Sequence, residues 1–241
     1  MQCIYGHRGA SGYAPENTLE AFELAAKMGA AGVELDTHIT RDGEVVVTHD
    51  ERIDRVSSGS GLVKDYTLKE LKGFKFNKTH PEYVNATIPT LREVYELLAP
   101  LGLSVNVELK NSCIFYPQLE EKCIEIAAQC GMTDRVLYSS FNHYSLMHVK
   151  EIAPELPCGL LYDATLYHAW EYAHRLGVNA LHPKYTELLI ADECEKAHAL
   201  GLEVNPWTVN DEDTLRMVIS AGADRIITNF PDRALAMLKA K

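Results

Sequence analysis

The chain has 241 residues, of which 46% are hydrophobic, enough to bury one large core, either as a single barrel or as two small domains. A formal net charge of −11 argues against broad attraction to nucleic acid or to an anionic membrane surface, so an anionic substrate needs positive charge concentrated at its site. No apolar stretch approaches the roughly 18 to 20 residues of a membrane helix, and the start has no signal-peptide layout, which predicts a cytoplasmic protein.

In chain order, a repeating unit predicts a parallel sheet. A helical stretch ends at a glycine that suits a helix C-cap, and a short apolar strand follows within a few residues. The glycines are Gly29, Gly102, Gly131, Gly177, Gly201 and Gly222. The predicted strands are Cys3–His7, Gly32–Ile39, Leu103–Lys110, Val136–Phe141, Cys158–Tyr162, Val178–His182, Leu202–Trp207 and Arg225–Thr228. Eight such units over this length predict an α/β fold, a (βα)8 TIM-type barrel.

One connection is much longer than the others. Residues 50–89 contain a Ser/Gly-rich stretch and a capping box at Thr67-x-x-Glu70, and they exceed the ~2 to 6 residues usual between a strand and a helix. We therefore predict one domain over residues 1–241, with a small insertion after the second strand. A similar signal, Asn17-x-x-Glu20, predicts that Asn17 caps the first helix.

Two predicted strands carry charged residues where a buried parallel strand should be apolar. Glu34, Asp36 and His38 alternate with apolar residues on the second strand, and Glu108 and Lys110 do so on the third. Three acids that converge inside a barrel repel one another, and a hard divalent ion such as Mg²⁺ or Ca²⁺ would neutralise them. Glu34, Asp36 and Glu108 are therefore candidate metal ligands. The alternative is a structural ion-pair network that includes Lys110.

A predicted hairpin brings a histidine to the acids. Asp42-Gly43, followed by a β-branched run, is a strong signal for a two-residue turn. Counting back from that turn sets Asp36 opposite His49. Directly opposed residues have Cβ atoms ~4.5 to 5.5 Å apart, so we expect His49 to stand beside the acids.

A second histidine, His7, ends the first predicted strand and is followed by Arg8 and Gly9. Catalytic residues of barrels gather at the carboxyl ends of the strands, which makes His7 a candidate catalytic residue. The alternative is an ordinary residue at a strand end.

Together these residues resemble a known family. The motifs are His7-Arg8-Gly9, Pro15-Glu16-Asn17-Thr18, Glu34-x-Asp36, His49-Asp50, Glu108-x-Lys110, Ser140-Phe141, Trp207-Thr208-Val209-Asn210 and Thr228-Asn229-Phe230-Pro231-Asp232. They are spread over nearly the whole chain and are similar to those of the bacterial glycerophosphodiester phosphodiesterases, in the phospholipase C-like phosphodiesterase superfamily. The resemblance implies a TIM-type barrel with an insertion after His49, and hydrolysis of glycerophosphodiesters to an alcohol and glycerol 3-phosphate.

The resemblance also assigns roles to the candidate residues. It implies that His7 and His49 are the acid and the base, that Glu34, Asp36 and Glu108 hold a divalent cation, and that Arg8 and Lys110 contact phosphate. Phe141 and Trp207 are candidates for substrate binding, as an apolar wall and a surface for the glycerol, although packing at the barrel mouth explains them equally well.

Several alternatives stay open at this point. The sequence does not distinguish Mg²⁺ from Ca²⁺, the acid from the base, or water from the neighbouring glycerol hydroxyl as the nucleophile. The partner we expect is a small-molecule substrate, and the oligomeric state, including a homo-oligomer, is open. Two other functions fit the same residues. One is a phospholipase D-like or lysophospholipase D-like enzyme, which should have an exposed apolar entrance, and the other is a non-catalytic barrel that binds a phosphorylated ligand.

Overall fold

Strands and helices alternate along the parts of the chain that the computed structural model describes, residues 2–189 and 192–240. The strands are β1 Cys3–His7, β2 Gly32–Ile39, β3 Val45–Val47, β4 Ser104–Leu109, β5 Val136–Ser140, β6 Cys158–Tyr162, β7 Ala180–Pro183, β8 Glu203–Val204 and β9 Arg225–Thr228. The helices are α1 Leu19–Met28, α2 Leu68–Leu71, α3 Leu91–Leu98, α4 Leu119–Gln129, α5 His143–Ile152, α6 Ala169–Leu176, α7 Glu193–Ala199, α8 Glu212–Ala221 and α9 Pro231–Lys239. Each of the eight predicted strands overlaps an observed one, and β3 is added by the hairpin.

The parallel strands form a nearly closed barrel in the order β8-β7-β6-β5-β4-β2-β1-β9. Backbone hydrogen bonds join its two ends: the amide of Asp224 donates to the carbonyl of Val204 at 2.8 Å, and that of Ile227 to Pro206 at 3.0 Å. The predicted TIM-type barrel is therefore confirmed. In the described residues, no helix is both long and apolar enough to cross a membrane.

Apolar and polar side chains alternate along β2 and β4, and the two kinds lie on opposite faces of the sheet, as predicted. Val33 and Leu35 belong to the main hydrophobic core, as do Val105 and Val107 of β4. Since successive side chains of a strand point to opposite faces, the residues between them face the barrel interior. Those residues include Glu34, Asp36, Asn106 and Glu108, all of which are buried.

The segment over residues 50–89 lies between β3 and α3 and packs around a small hydrophobic cluster of its own. The cluster comprises Val46, Ile53, Val56, Val63, Leu71, Phe76 and Ile88. The capping box at Thr67 and Glu70 starts α2 as predicted. That residues 1–241 form a single domain stays a prediction.

The hairpin register differs from the prediction by one residue. The turn has three residues rather than two: the amide of Thr40 donates to the carbonyl of Glu44, and only Gly43 has a positive φ, at 86°. A two-residue type I′ turn needs positive φ at both central residues, and here Asp42 has none. Thr48, and not His49, therefore lies opposite Asp36, and the Thr48 amide donates to the Asp36 carbonyl at 3.1 Å.

Candidate active site

The three predicted metal ligands converge inside the barrel. Asp36 of β2 is registered directly beside Glu108 of β4, and Glu34 lies one pleat earlier on β2. One carboxylate oxygen of each residue lies within 4.8 Å of those of the other two. Each residue is less than a tenth exposed. The alternation of the two strands thus concentrates three carboxylates at one point that water barely reaches.

This crowding changes how the acids titrate. Burial, followed by the charges of Asp36 and Glu108, holds the pKa of Glu34 well above its ordinary range. Burial and Asp36 also raise the pKa of Glu108 to about 7. Asp36 behaves differently: although burial opposes this, His49, Arg8 and Lys110 hold its pKa below the usual range. The site therefore lacks enough positive charge to keep all three carboxylates ionised on its own.

Both predicted phosphate ligands lie at these acids. Lys110 Nζ lies 3.0 Å from Glu108 Oε1 and 3.6 Å from Asp36 Oδ1, and Arg8 Nε lies 3.4 Å from Asp36 Oδ2. Arg8 has a φ of 54°, in the left-handed region that a non-glycine residue rarely adopts. In this conformation its backbone amide donates to Glu34 Oε2 at 3.0 Å, which compensates for the strain.

The two predicted catalytic histidines line one cavity. His7 Nδ1 donates to Asn229 Oδ1 at 2.7 Å, and its Nε2 lies 3.9 Å from Glu34 Oε2. Burial, together with the charge of Arg8, lowers the pKa of His7 to about 3. His49 Nδ1 donates to Asp50 Oδ1 at 2.6 Å. Each ring therefore has Nδ1 fixed as a donor, so a neutral ring carries its lone pair on Nε2.

His49 reaches this cavity by a route other than the predicted one. The chain leaves β3 after Val47, so strand alternation no longer determines where His49 points. The buried ring of His38, which the sequence places on the same face as the acids, donates from Nε2 to the His49 carbonyl at 3.1 Å. His49 lines the cavity with Glu34 and Glu108, although the predicted register that sets it opposite Asp36 is wrong, since a side-chain hydrogen bond holds the turn after the strand.

A chain of ion pairs connects the two sides of the site. Arg8 Nη1 donates to Glu16 Oε1 at 2.8 Å, and Arg55 donates to both Glu16 oxygens at 2.7 and 2.8 Å. Arg55 Nε also donates to Asp50 Oδ2 at 2.7 Å, and Asp50 in turn accepts from His49. Arg55 comes from the segment over residues 50–89, so this segment contributes to the site.

Two aromatic residues line the cavity beside the polar groups. Phe141 and Trp207 contact each other edge to face, with ring centroids 5.4 Å apart. Trp207 Nε1 donates to the His182 carbonyl at 2.8 Å, which fixes the orientation of the indole ring. Phe141 and Trp207, which the sequence predicts to bind substrate, therefore form one apolar wall of this cavity.

Sequence reasoning missed several residues of the site. Asn17 was expected to cap α1, but Thr18 is the cap, with its side chain accepting from the Ala21 amide. Asn17 instead donates from Nδ2 to Asp36 Oδ2 at 2.8 Å. The backbone turn at Asn17, with a φ of 57°, carries its side chain away from the helix end. Asn17 lies within one of the motifs above, whereas no sequence pattern marks Arg55.

The whole length of the barrel matches known proteins. Residues 7–233 match the profile of the Glycerophosphoryl diester phosphodiesterase family. The chain belongs to this family. It is accordingly an enzyme, a glycerophosphodiester phosphodiesterase, as the resemblance of its motifs implies.

Individual relatives agree with this assignment. The chain is 41% identical to a glycerophosphodiester phosphodiesterase of Caldanaerobacter subterraneus subsp. tengcongensis, over 98% of this chain and 97% of the relative. It is 39% identical to that of Bacillus altitudinis, over 98% and 97%. Its fold is similar to that of an Oleispira antarctica phosphodiesterase solved in complex with the product sn-glycerol-3-phosphate, with a TM-score of 0.90 and 31% identity over 99% and 97% of the two chains.

Proposed function

We propose that this family member hydrolyses glycerophosphodiesters to an alcohol and glycerol 3-phosphate by two-histidine acid and base catalysis at a divalent cation. The observation that supports this most strongly is the shared cavity. His7 and His49, each with Nδ1 fixed as a donor, line it together with two of three converging buried carboxylates. The product named for the Oleispira antarctica relative is the one we propose here.

The three carboxylates fit a hard divalent cation. Oxygens bound to one Mg²⁺ or Ca²⁺ at about 2.0 to 2.6 Å lie at most about 5 Å apart, which agrees with the 4.8 Å within which the three oxygens fall. Asp36 Oδ1 is buried and accepts no hydrogen bond within the described part of the chain, so it is free to bind an ion. When bound by Glu34, Asp36 and Glu108, the cation would supply positive charge to the phosphate oxygens.

We assign the base to His7. Burial and the charge of Arg8 lower the pKa of His7 to about 3, and its Nδ1 proton is donated to the amide oxygen of Asn229, so the neutral ring keeps its lone pair on Nε2. Its Nε2 faces the acids, where a phosphate bound near Arg8 and Lys110 would lie. His7 is therefore suited to take a proton at Nε2 from the attacking hydroxyl.

We assign the acid to His49. Its Nδ1 proton is held by the carboxylate of Asp50, so Nε2 is the nitrogen that can exchange a proton with the substrate. Arg55 holds that carboxylate through its Nε at 2.7 Å and Nη2 at 3.2 Å, which fixes the ring in turn. His49 would donate its Nε2 proton to the leaving alkoxide as the bond between phosphorus and oxygen breaks.

Phosphorus NMR in water enriched in heavy oxygen tests this proposal. With glycerophosphocholine as substrate, we expect one final phosphorus product, glycerol 3-phosphate that carries the heavy isotope. A transient cyclic phosphate would identify the neighbouring glycerol hydroxyl as the nucleophile. An unchanged substrate signal in the presence of Mg²⁺ or Ca²⁺ would contradict the proposed function.

Arg55 offers a further prediction, because it joins both halves of the site without lining the cavity. Arg55→Gln removes the donors that hold Glu16 and Asp50. Because a hydrogen bond to a charged group contributes about 1.5 to 3 kcal/mol, we expect kcat to fall about 10- to 100-fold. KM should change less, since Arg8 and Lys110 remain. Steady-state kinetics measure this effect.

The matched control for Arg55 is Arg52→Gln. Arg52 is an exposed arginine of the same segment, and its ion pair with Asp54 at 3.1 Å has no connection to the site. We expect this variant to retain wild-type kcat. If Arg55→Gln and Arg52→Gln have equal kcat, the ion-pair chain does not position His49.

The remaining expectations from the sequence are unchanged. The cytoplasmic location, the lack of nucleic-acid or membrane partners and the oligomeric state stay predictions. Membership of an enzyme family disfavours a barrel that only binds its ligand. The lipid alternative depends on an apolar entrance, which the sequence could not locate.

A further inference from the structure

Two neutral polar side chains lie in the catalytic cavity and have no part in the chemistry proposed above. Asn106 of β4 and Ser139 of β5 both line this cavity, and they are only 2% and 0% exposed. Asn106 Oδ1 and Ser139 Oγ have no hydrogen-bond partner within the described part of the chain. Because a buried polar atom without a partner costs free energy, two of them in one ligand cavity indicate that the ligand supplies the partners.

The strand register places both residues beside the predicted metal ligands. In one row across the sheet, Glu34 lies between His7 on β1 and Asn106 on β4. In the next row, Glu108 is registered beside Ser139 on β5. Asn106 therefore lies beyond Glu34, and Ser139 beyond Glu108, each on the side away from His7. A substrate held at the acids passes next to both side chains.

The chemistry of these two side chains suits a neutral hydroxyl group. An amide and a hydroxyl carry donors and acceptors and no charge. The phosphate of the substrate has the cationic partners Arg8 and Lys110, and a quaternary ammonium head group has no N–H or O–H to donate. The glycerol half carries two hydroxyls that both donate and accept. It is also the half that the name of the family specifies.

The two glycerol hydroxyls differ in their distance from phosphorus. The hydroxyl on the middle carbon is close enough to attack phosphorus as the alternative nucleophile, which places it at the acids and His7. The terminal hydroxyl is one carbon further from the phosphate. Asn106 and Ser139 lie beyond the acids, on the side away from His7. The terminal hydroxyl is therefore the one that reaches them.

We propose that Asn106 and Ser139 bind the terminal hydroxyl of the glycerol and thereby select glycerophosphodiesters over other phosphodiesters. This inference rests on the proposed function, since it identifies the part of the same site that holds the glycerol. Asn106 and Ser139 move no proton; they gain hydrogen-bond partners when the hydroxyl is bound. With a substrate that lacks the hydroxyl, both side chains stay buried and unpaired, which is how a site built around a hydroxyl rejects such an analogue.

The test compares two substrates that differ by this one hydroxyl. Glycerophosphocholine carries it. The 2-hydroxypropyl ester of phosphocholine, in the matching configuration, lacks it but keeps the hydroxyl on the middle carbon, so either nucleophile can still act. Choline release measures both reactions. We expect kcat/KM of the wild type to be about 10- to 100-fold higher for glycerophosphocholine. Ser139→Ala and Asn106→Leu should each bring the ratio of the two kcat/KM values towards one.

The matched control is Ser145→Ala. Ser145 on α5 is 3% exposed, and its hydroxyl also has no partner among the described residues, but Ser145 does not line the cavity. This variant should keep the wild-type ratio. Without substrate, the free energy of unfolding of Ser139→Ala should not be lower than that of the wild type, because the substitution removes a buried hydroxyl that has no partner.

Three results would overturn the inference alone. One is a wild type that does not distinguish the two substrates, and another is a full preference retained by both Ser139→Ala and Asn106→Leu. The third is an equal loss of kcat/KM on both substrates, which would show that these residues hold water or support the acids. Failure of the wild type to release choline from either substrate, with Mg²⁺ or Ca²⁺ present, would overturn the proposed function as well.

Discussion

Replacing either His7 or His49 by alanine is expected to lower kcat by about 10² to 10⁴, the usual worth of a positioned acid or base. KM should change much less, because the metal ligands and the cations Arg8 and Lys110 remain. A suitable control is His174→Ala, since His174 is exposed on α6, away from the site. If either active-site variant is folded and has a near wild-type kcat, that histidine is structural and the two-histidine mechanism is wrong.

A leaving group that needs no proton separates the two roles. With a nitrophenyl phosphodiester, His49→Ala should recover much of its lost rate, since nitrophenolate leaves without an acid. His7→Ala should remain slow, because the attacking hydroxyl still needs a base. Recovery of His7→Ala instead would reverse the assignment that we derive from Asn229 and Asp50.

The second large effect concerns the acids. Glu34→Gln and Glu108→Gln should each lower activity by more than about 100-fold and weaken divalent-cation binding, because each removes a charged oxygen ligand. Isothermal titration with Mg²⁺ and Ca²⁺ measures the affinity directly. Glu121→Gln, at a half-exposed carboxylate on α4 that pairs with His148, is the control. Wild-type cation affinity in both active-site variants would show that the acids form only the structural ion-pair network.

The same carboxylates predict how the metal-free protein responds to pH. The pKa of Glu108 is raised by burial and by Asp36, from an ordinary value of 4.5 to about 7. The folded state therefore binds this proton more tightly than the unfolded state, so its stabilising effect is full below about pH 4.5 and is lost as pH rises through 7. In chelator, the free energy of unfolding of Glu108→Gln should fall less over this range than that of the wild type. An equal decrease of the free energy of unfolding in both proteins would contradict the raised pKa of Glu108.

Asp36→Asn should behave in the opposite way. Against the effect of burial, His49, Arg8 and Lys110 hold the pKa of its carboxylate below the usual range, and the last two are paired with it directly. This group stabilises the fold above its ordinary pKa, and its neutralisation leaves two buried cations with fewer partners. The metal-free Asp36→Asn variant should therefore unfold at lower denaturant concentration than the wild type, whereas removing the repelled charge at Glu34 or Glu108 should stabilise the protein or leave it unchanged.

The barrel and its acids were predictable because they depend on a strict period. Side chains alternate along a strand, so Glu34, Asp36 and Glu108 could be placed in the interior from their spacing alone. The register of the hairpin could not be predicted in this way. Two-residue and three-residue turns share the same Asp42-Gly43 signal and differ only in backbone dihedral angles. A shift of one residue normally moves a side chain to the other face, and His49 avoids this only because the strand has already ended.

The parts that could not be predicted depend on contacts between distant segments. Arg55 reaches Glu16 across 39 positions of sequence, and nothing near Arg55 signals the pairing.

The central claim is that a cation at Glu34, Asp36 and Glu108 supports hydrolysis to glycerol 3-phosphate. A coupled assay for glycerol 3-phosphate release from a panel of glycerophosphodiesters, run with chelator and then with Mg²⁺ or Ca²⁺ restored, tests it most directly. We predict release by the wild type, its loss in chelator and its return with one of the two ions. Full turnover in the presence of chelator, or no glycerol 3-phosphate from any member of the panel with either ion, would contradict the account.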